Sequence, residues 1–216
     1  MGKLKIAIIG GTGKEGMGLG LRWASAGYEI MIGSRQVEKA RLAAEEINHQ
    51  LSSKTVIGME NSEAIKKADI CVLTVIQSAH SQILESLKEV LQEKILVDAT
   101  ARVDFREPRP PDPPSAAQQA QEVLGPKVRI VAAFQNVPAK VLAMTFDQPI
   151  NADVLVCADD IDAAEQVIQL VNAAGMRGFY AGILANANVV EGLTSILISM
   201  NKYYGIKDAR IMVSGI

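Results

Sequence analysis

The sequence predicts an α/β fold built on a doubly wound, mostly parallel sheet, and three observations carry that prediction. Short apolar runs alternate along the chain with amphipathic stretches at helical spacing, the rhythm of strands joined by helical crossovers. The first run, Leu4 to Ile9, ends in the glycine-rich turn Gly10-Gly11-Thr12-Gly13-Lys14-Glu15-Gly16, after which a helical pattern begins. The 216 residues suffice for one large domain, or one domain with a small appendage, and for a sizeable core.

Leu4 to Ile9 is short, rich in Ile and closed by glycines, so it reads as a buried parallel strand. Lys14 to Ala26 reads as a helix and Tyr28 to Ile32 as a second strand. Val37 to Gln50, with Ala, Leu and Ile spaced among Lys, Arg and Glu, is an amphipathic helix. Thr55 to Met59 gives a brief strand, Ser62 to Lys67 a short helix, Ile70 to Val75 a strand, Ser78 to Leu91 a helix and Ile95 to Val97 a strand. Glu107 to Pro114 breaks the rhythm, because its prolines fit neither helix nor central strand; an exposed, polyproline-like loop is expected. Ser115 is placed to cap the helix that follows. Strands are then expected at Val128 to Ala133, Asp153 to Cys157 and Met176 to Tyr180, with a helix at Ile161 to Ala174. Ala185 to Tyr204 reads as a long final helix, apolar over much of its circumference, suited to pack on another subunit or to cover a ligand.

The 22 Lys+Arg against 24 Asp+Glu leave a net charge of -2, without the basic surplus on which nucleic-acid binding leans. Cys71 and Cys157 sit inside apolar runs and read as buried thiols, at home in a reducing cytoplasm. No apolar run is long enough to span a bilayer and the amino terminus lacks a cleavable apolar region, so a soluble protein is expected.

Strand, glycine turn and helix in that order form a site for a dinucleotide pyrophosphate. Gly11 is expected to permit the tight bend, Gly13 to let the backbone approach the pyrophosphate, and Gly16 to let helix and strand pack closely. Helix N-terminal amides then hold the anion. Glu15, an acid beside that anion, is tolerable with its side chain turned to solvent. At the end of the second strand a carboxylate would pair with the ribose of NAD, but Gly33-Ser34-Arg35 stands there, with Lys39 a helical turn later. A hydroxyl, a guanidinium and an ammonium aimed at one spot suit the 2′-phosphate of NADP. The plainer alternative is a solvated basic start to a helix, electrostatically misplaced there without an anion.

In open α/β sheets the ligand lies beyond the carboxyl ends of the strands. Val75-Ile76-Gln77-Ser78, Asp98-Ala99-Thr100 and Phe134-Gln135-Asn136-Val137-Pro138-Ala139 should therefore face the nicotinamide. No Ser/His/Asp or Cys/His arrangement and no metal-ligand spacing occurs among them. That favours a reaction in which two rings are held face to face and hydride passes directly, with no catalytic side chain expected and no metal. Asp98 reads either as an acid at the cleft or as a strand-end hydrogen-bond acceptor, His80 as a ligand contact or a surface or capping residue. His49 reads as solvated and Trp23 as core.

The stretch Gly10 to Gly16, with Gly18-Leu19, Leu21-Arg22, Gly27, and above all Gly33-Ser34-Arg35 with Lys39-Ala40, resembles the NADPH-dependent coenzyme F420 reductases, or F420H2:NADP oxidoreductases. Gly58-Met59 with Asn61, Ala68-Asp69-Ile70, Val72-Leu73-Thr74, Val137-Pro138-Ala139, Val156-Cys157 with Asp159-Asp160, and Glu191 with Leu193-Thr194 extend the likeness over nearly the whole length. The resemblance implies a Rossmann-like NADP domain over residues 1–182 and a helical segment over 183–216 that completes the substrate cleft and a homodimer. It implies that Thr12 to Gly16, including Gly13, Lys14 and Glu15, hold the pyrophosphate and that Ser34, Arg35 and Lys39 hold the 2′-phosphate. Val75, Ile76 and Ala139 would flank the nicotinamide, and Gln135, Asn136, Val137, Pro138 and Thr194 would border the deazaflavin. Hydride would pass between nicotinamide C4 and deazaflavin C5. Ile76, Gln135 and Ser195 depart from the pattern, standing where proline, histidine and proline are common. Two other readings use the same residues: an NADPH-dependent reductase of a flavin, imine or ketone, with Asp98 or His80 as proton donor, and a non-catalytic NADP-binding sensor.

Overall fold

The computed structural model describes residues 4–144 and 146–216; the polar start Met1-Gly2-Lys3 lies outside them. Eight strands form one sheet in the order β3-β2-β1-β4-β5-β6-β7-β8. They are β1 (Lys5–Ile9), β2 (Glu29–Ser34), β3 (Val56–Glu60), β4 (Ile70–Leu73), β5 (Ile95–Asp98), β6 (Arg129–Ala132), β7 (Asp153–Ala158) and β8 (Arg177–Tyr180). All neighbours pair in parallel except β6 and β7, which run antiparallel. The order reverses between β1 and β4, and that switch point opens a crevice for a ligand.

Successive side chains of a strand point to opposite faces, and both faces of this sheet are covered. Ile6 and Ile8 of β1 join one buried cluster, with Leu19 of α1 (Lys14–Ser25), Ala40 of α2 (Val37–Leu51) and Val167 of α7 (Ile161–Ala173). Ala7 and Ile9 join the other, with Ile65 of α3 (Asn61–Lys67), Leu84 of α4 (Gln77–Leu87), Ala120 of α5 (Ala116–Leu124) and Val190 of α8 (Ala187–Tyr204). This explains why the strands read as continuous apolar runs rather than as alternating ones. Helix α2 rides so close on β3 that a Cβ at Gly58 would stand 2.2 Å from the Ala40 backbone. Trp23 is core: fully buried, edge-on to Phe134 at 5.9 Å, with its Nε1–H donating to the Leu170 carbonyl at 2.8 Å.

Ser115 caps α5 through a reciprocal pair, its Oγ accepting the Gln118 N–H at 3.1 Å while Gln118 Oε1 accepts the Ser115 N–H at 3.0 Å. Helix α4 stops at Leu87 rather than Leu91, and a short α6 (Ala139–Leu142) appears where no helix was expected. Four residues are too few to show a helical period in sequence.

The reversal at β7 decides where the last helix goes. Because β7 and β8 run against β6, β8 ends at the edge of the sheet away from the crevice. A 3₁₀ turn at Leu184–Asn186 follows, and α8 then travels back so that its second half reaches the ligand side. The proline-rich loop lies along α8 and is fastened to it. Ser195 Oγ donates to the Arg109 carbonyl at 2.6 Å, Lys202 Nζ to the Arg106 carbonyl at 2.7 Å, and Arg102 Nε to buried Glu191 at 3.0 Å.

Candidate active site

The glycine turn joins β1 to α1 and sets the first wall. The left-handed conformation lies at Gly10 (φ 69°), not at Gly11, where the sequence placed the tight bend. Gly11 is required for a different reason: a Cβ there would stand 2.8 Å from the Ile8 carbonyl oxygen. Gly16 fills its expected part, since its Cβ would come within 2.6 Å of the Gly11 Cα and 2.8 Å of Thr74 Oγ1. Gly13 caps α1 and faces open space, with nothing within 4 Å of the place a Cβ would take, which leaves the backbone free for a pyrophosphate. Lys14 is exposed beside it.

From this turn two recesses extend. One, of about 270 Å³, is lined by Gly10, Thr12, Ser34, Arg35, Asn61 and Val75, with Ala79, Gln82, Ile83 and Ser86 of α4. Ser34 is nearly buried and accepts the Gln36 N–H at 3.1 Å, while the Arg35 side chain is exposed. Lys39 lies exposed on α2, outside that lining, so of the three residues expected at the 2′-phosphate the recess brings together Ser34 and Arg35. Asn61, 2% exposed, accepts the Gly10 N–H at 3.3 Å and fixes the turn against β3.

The other recess is a cleft of about 830 Å³ beyond the ends of β4, β5 and β6. It is lined by Val75, Ile76, Gln77 and Ser78, by Ala99 and Thr100, and by Phe134 through Lys140, so all three predicted strand ends meet there. Thr194, Leu197, Ile198, Asn201 and Lys202 of α8 close the far side, with Phe105 just before the proline-rich loop. Thr194 Oγ1 donates to the Gln135 carbonyl at 2.7 Å and thereby holds α8 against the 135–138 segment.

Three buried polar atoms on this lining have no protein partner among the described residues: Thr100 Oγ1, Gln135 Oε1 and Asn136 Oδ1. Gln135 Nε2 donates to the Asp98 carbonyl at 2.7 Å and Asn136 Nδ2 to the Asp153 carbonyl at 2.6 Å, which orients both amides. Unpartnered buried acceptors are costly, and three of them cluster on residues of this one lining. Gln135 thus holds a defined post where histidine is common, and Ser195 has become a clamp on the loop.

Asp98 is not an acid at the cleft. It is fully buried, accepts the Thr100 N–H at 2.9 Å, and pairs with His80 Nε2 at 2.7 Å. Its carboxylate is therefore the strand-end acceptor, and buried His80 is its partner rather than a surface residue or a ligand contact. Glu15 reverses the expectation made for it. Its side chain is half-buried and lines the cleft instead of turning to solvent. Burial first, and the Asp98 charge second, push its carboxyl up to about 8. An acid that is uncharged near neutrality does not repel a pyrophosphate. Because the folded protein holds this proton where the unfolded chain releases it, the stability contribution is full below about 4.5, falls as pH rises, and is lost above about 8. Burial also pushes Cys71 up to about 12 and Cys157 to about 11, so neither thiol serves as a nucleophile.

Residues 5–102 match the sequence model of the family described as NADP oxidoreductase, coenzyme F420-dependent. The F420-dependent NADP reductase of Methanocaldococcus jannaschii is 38% identical over 225 residues, covering 99% of both chains. That of Methanothermobacter thermautotrophicus is 36% identical over 224 residues, covering 99% of this chain and 96% of the other. The chain belongs to the F420-dependent NADP reductase family. A crystal structure of a candidate F420-dependent NADP-reductase from Arthrobacter sp. FB24 superposes with a TM-score of 0.81 at 23% identity. It covers 99% of this chain and 100% of that one, a likeness of fold. The match to the F420-dependent NADP reductase of M. jannaschii spans 99% of this chain, far enough to include both the strand ends of the cleft and its α8 wall.

Proposed function

We propose that this protein transfers hydride directly between NADP(H) and coenzyme F420. The observation that carries the proposal is Val75, which lines both recesses. A dinucleotide anchored by Ser34 and Arg35 at one end and laid over Gly13 passes this residue into the cleft, where its nicotinamide meets the second substrate. Val75, Ile76 and Ala139 flank the nicotinamide. Gln135, Asn136, Val137, Pro138 and Thr194 border a deazaflavin, whose ring N–H groups answer the orphaned acceptors. What these side chains contribute to hydride transfer is position: two flat rings pressed together by apolar walls, with water displaced. An imine or ketone reductase drawing its proton from Asp98 or His80 is disfavoured, because those groups are bonded to each other beneath the lining.

Mixing purified protein with NADPH and oxidised F420 is expected to bleach the deazaflavin absorbance, with FMN left unreduced. No bleaching at high protein concentration would refute the assignment.

The protein is also proposed to work as a homodimer in the cytoplasm. Val189, Ile196, Met200 and Tyr203 are exposed at intervals of seven, four and three residues and share one face of α8, roughly opposite the face that lines the cleft. The two free, buried cysteines suit a reducing compartment, and no helix among the described residues is long and apolar enough to cross a membrane. Sedimentation is expected to give twice the chain mass, and Ile196→Lys to shift it to the monomer; an unchanged dimer would place the interface elsewhere.

A further inference from the structure

We propose that Glu15 is the acid–base residue of the cleft, delivering a proton to the acceptor ring when hydride arrives and taking it back when hydride leaves. This role rests on the function proposed for the cleft. Hydride transfer alone leaves the charge unbalanced: NADPH gives up an electron pair with one hydrogen, and the acceptor ring becomes neutral only after it also gains a proton. The overall uptake is one proton per hydride, and the group that supplies it must stand in the cleft.

The geometry leaves few candidates. Glu15 carries the only carboxyl on the cleft lining among the described residues, and the lining holds no His, Cys or Tyr. It enters from the first turn of α1 and lines the same cleft as Val75, Ile76 and Ala139, where the two rings are to be stacked. The charged groups around it are few. Asp98 of β5 lies behind it with His80 of α4 on its carboxylate, and Lys140 of α6, Lys202 of α8 and Lys207 of the C-terminal tail line the same cleft. The buried faces of α2 and α7, which also pack on α1, are built of Ala, Ile, Val and Leu and bring no charge.

These surroundings give Glu15 the property such a residue needs. A proton donor works best with its pKa near the working pH, and burial with the Asp98 charge moves this carboxyl up to about 8. In the direction of F420 reduction the Glu15 O–H bond breaks and its proton forms a new N–H bond on the ring. The carboxylate left behind regains a proton from water at the cleft mouth. In the reverse direction the carboxylate accepts that proton and passes it to water. NADPH is oxidised and the deazaflavin reduced, so no further oxidant or reductant enters.

The test uses the whole protein and the Glu15→Gln variant, which keeps the shape of the protonated acid. Infrared titration of the ligand-free protein should show a protonated-carboxyl band that fades with a midpoint near 8 and is missing from E15Q. Single-turnover reduction of F420 by NADPH should fall with pH across the same midpoint and slow in D2O. In E15Q the rate should drop by at least about a hundredfold and lose both the pH step and the solvent isotope effect. NADP+ binding measured in parallel should stay within a few-fold, which certifies the fold of the variant. A midpoint in the ordinary carboxylate range, or an E15Q rate and isotope effect equal to wild type, overturns the role of Glu15 alone. A wild-type protein that transfers no hydride to F420 overturns that role together with the function.

Discussion

Replacing Arg22 with alanine is expected to lower the unfolding free energy by about 3–5 kcal/mol, the cost of emptying a buried charged site whose partners remain. Arg22 is 2% exposed, and its guanidinium donates to a set of backbone carbonyls, with the Asp147 charge nearby. Nε donates to Leu142 at 2.8 Å, Nη1 to Ala174 at 3.0 Å and Gln148 at 3.1 Å, and Nη2 to Met144 at 2.9 Å. These carbonyls belong to the chain that leaves α6 and to the end of α7, so one side chain on α1 ties the irregular segment under the cleft to the sheet. Burial lowers the Arg22 pKa, which shows what the site costs the charge, yet the fan of donors keeps it occupied. Lysine offers a single point charge in place of five fixed donors, and Arg22→Lys is expected to recover little of the loss. Equilibrium denaturation in urea measures both variants, and a change below about 1 kcal/mol for Arg22→Ala would mean that water replaces the guanidinium freely.

Arg35→Ala is expected to weaken NADP(H) binding by about ten- to a hundredfold, the worth of a charge-assisted hydrogen bond of roughly 1.5–3 kcal/mol, while NAD(H) binding changes little. A partial loss is expected, because in the proposed mode Ser34 still pairs with the phosphate. Lys39→Ala should have a smaller effect, because that ammonium lies outside the recess lining and acts through solvent. Calorimetric titration with both dinucleotides decides the matter: equal weakening of NADP+ and NAD+ would place the 2′-phosphate elsewhere.

Much of the fold is legible in the sequence, as is the recess that sets Ser34 and Arg35 beside the glycine turn, because both rest on local rules. Ile-rich runs closed by glycine become buried parallel strands wherever both faces are covered, and a Ser-Arg pair at the end of β2 falls where a ribose must lie. The cleft walls were legible as well, since strand ends converge at a switch point by topology alone. What stayed hidden depends on long-range packing. His80 and Asp98 are 18 residues apart and meet only because α4 follows β4 and lies over β5. Ser195 and Arg109, 86 residues apart, reveal a clamp that neither residue announces. Glu15 is the plainest instance. The first turn of a helix is ordinarily a solvated place for an acid, and here that position lines a cleft whose other walls, the 134–140 segment among them, come from distant parts of the chain. A Cβ at Gly18 would stand 2.6 Å from Leu142, the same close approach of α6 to α1.

Val75 at the boundary of both recesses makes the sheet a ruler. The phosphate corner hangs from β2 and the cleft from β4 and β5, and these strands are stitched to β1 in one unbroken parallel ladder. In the proposed binding mode, the span from the 2′-phosphate to the reacting ring is then set by the covalent and hydrogen-bonded spacing of that ladder. Dinucleotide length becomes a gauge of competence. In that mode a nicotinamide carried on a shorter tether is expected to enter the cleft with nothing to set its depth, and so to meet its partner out of register.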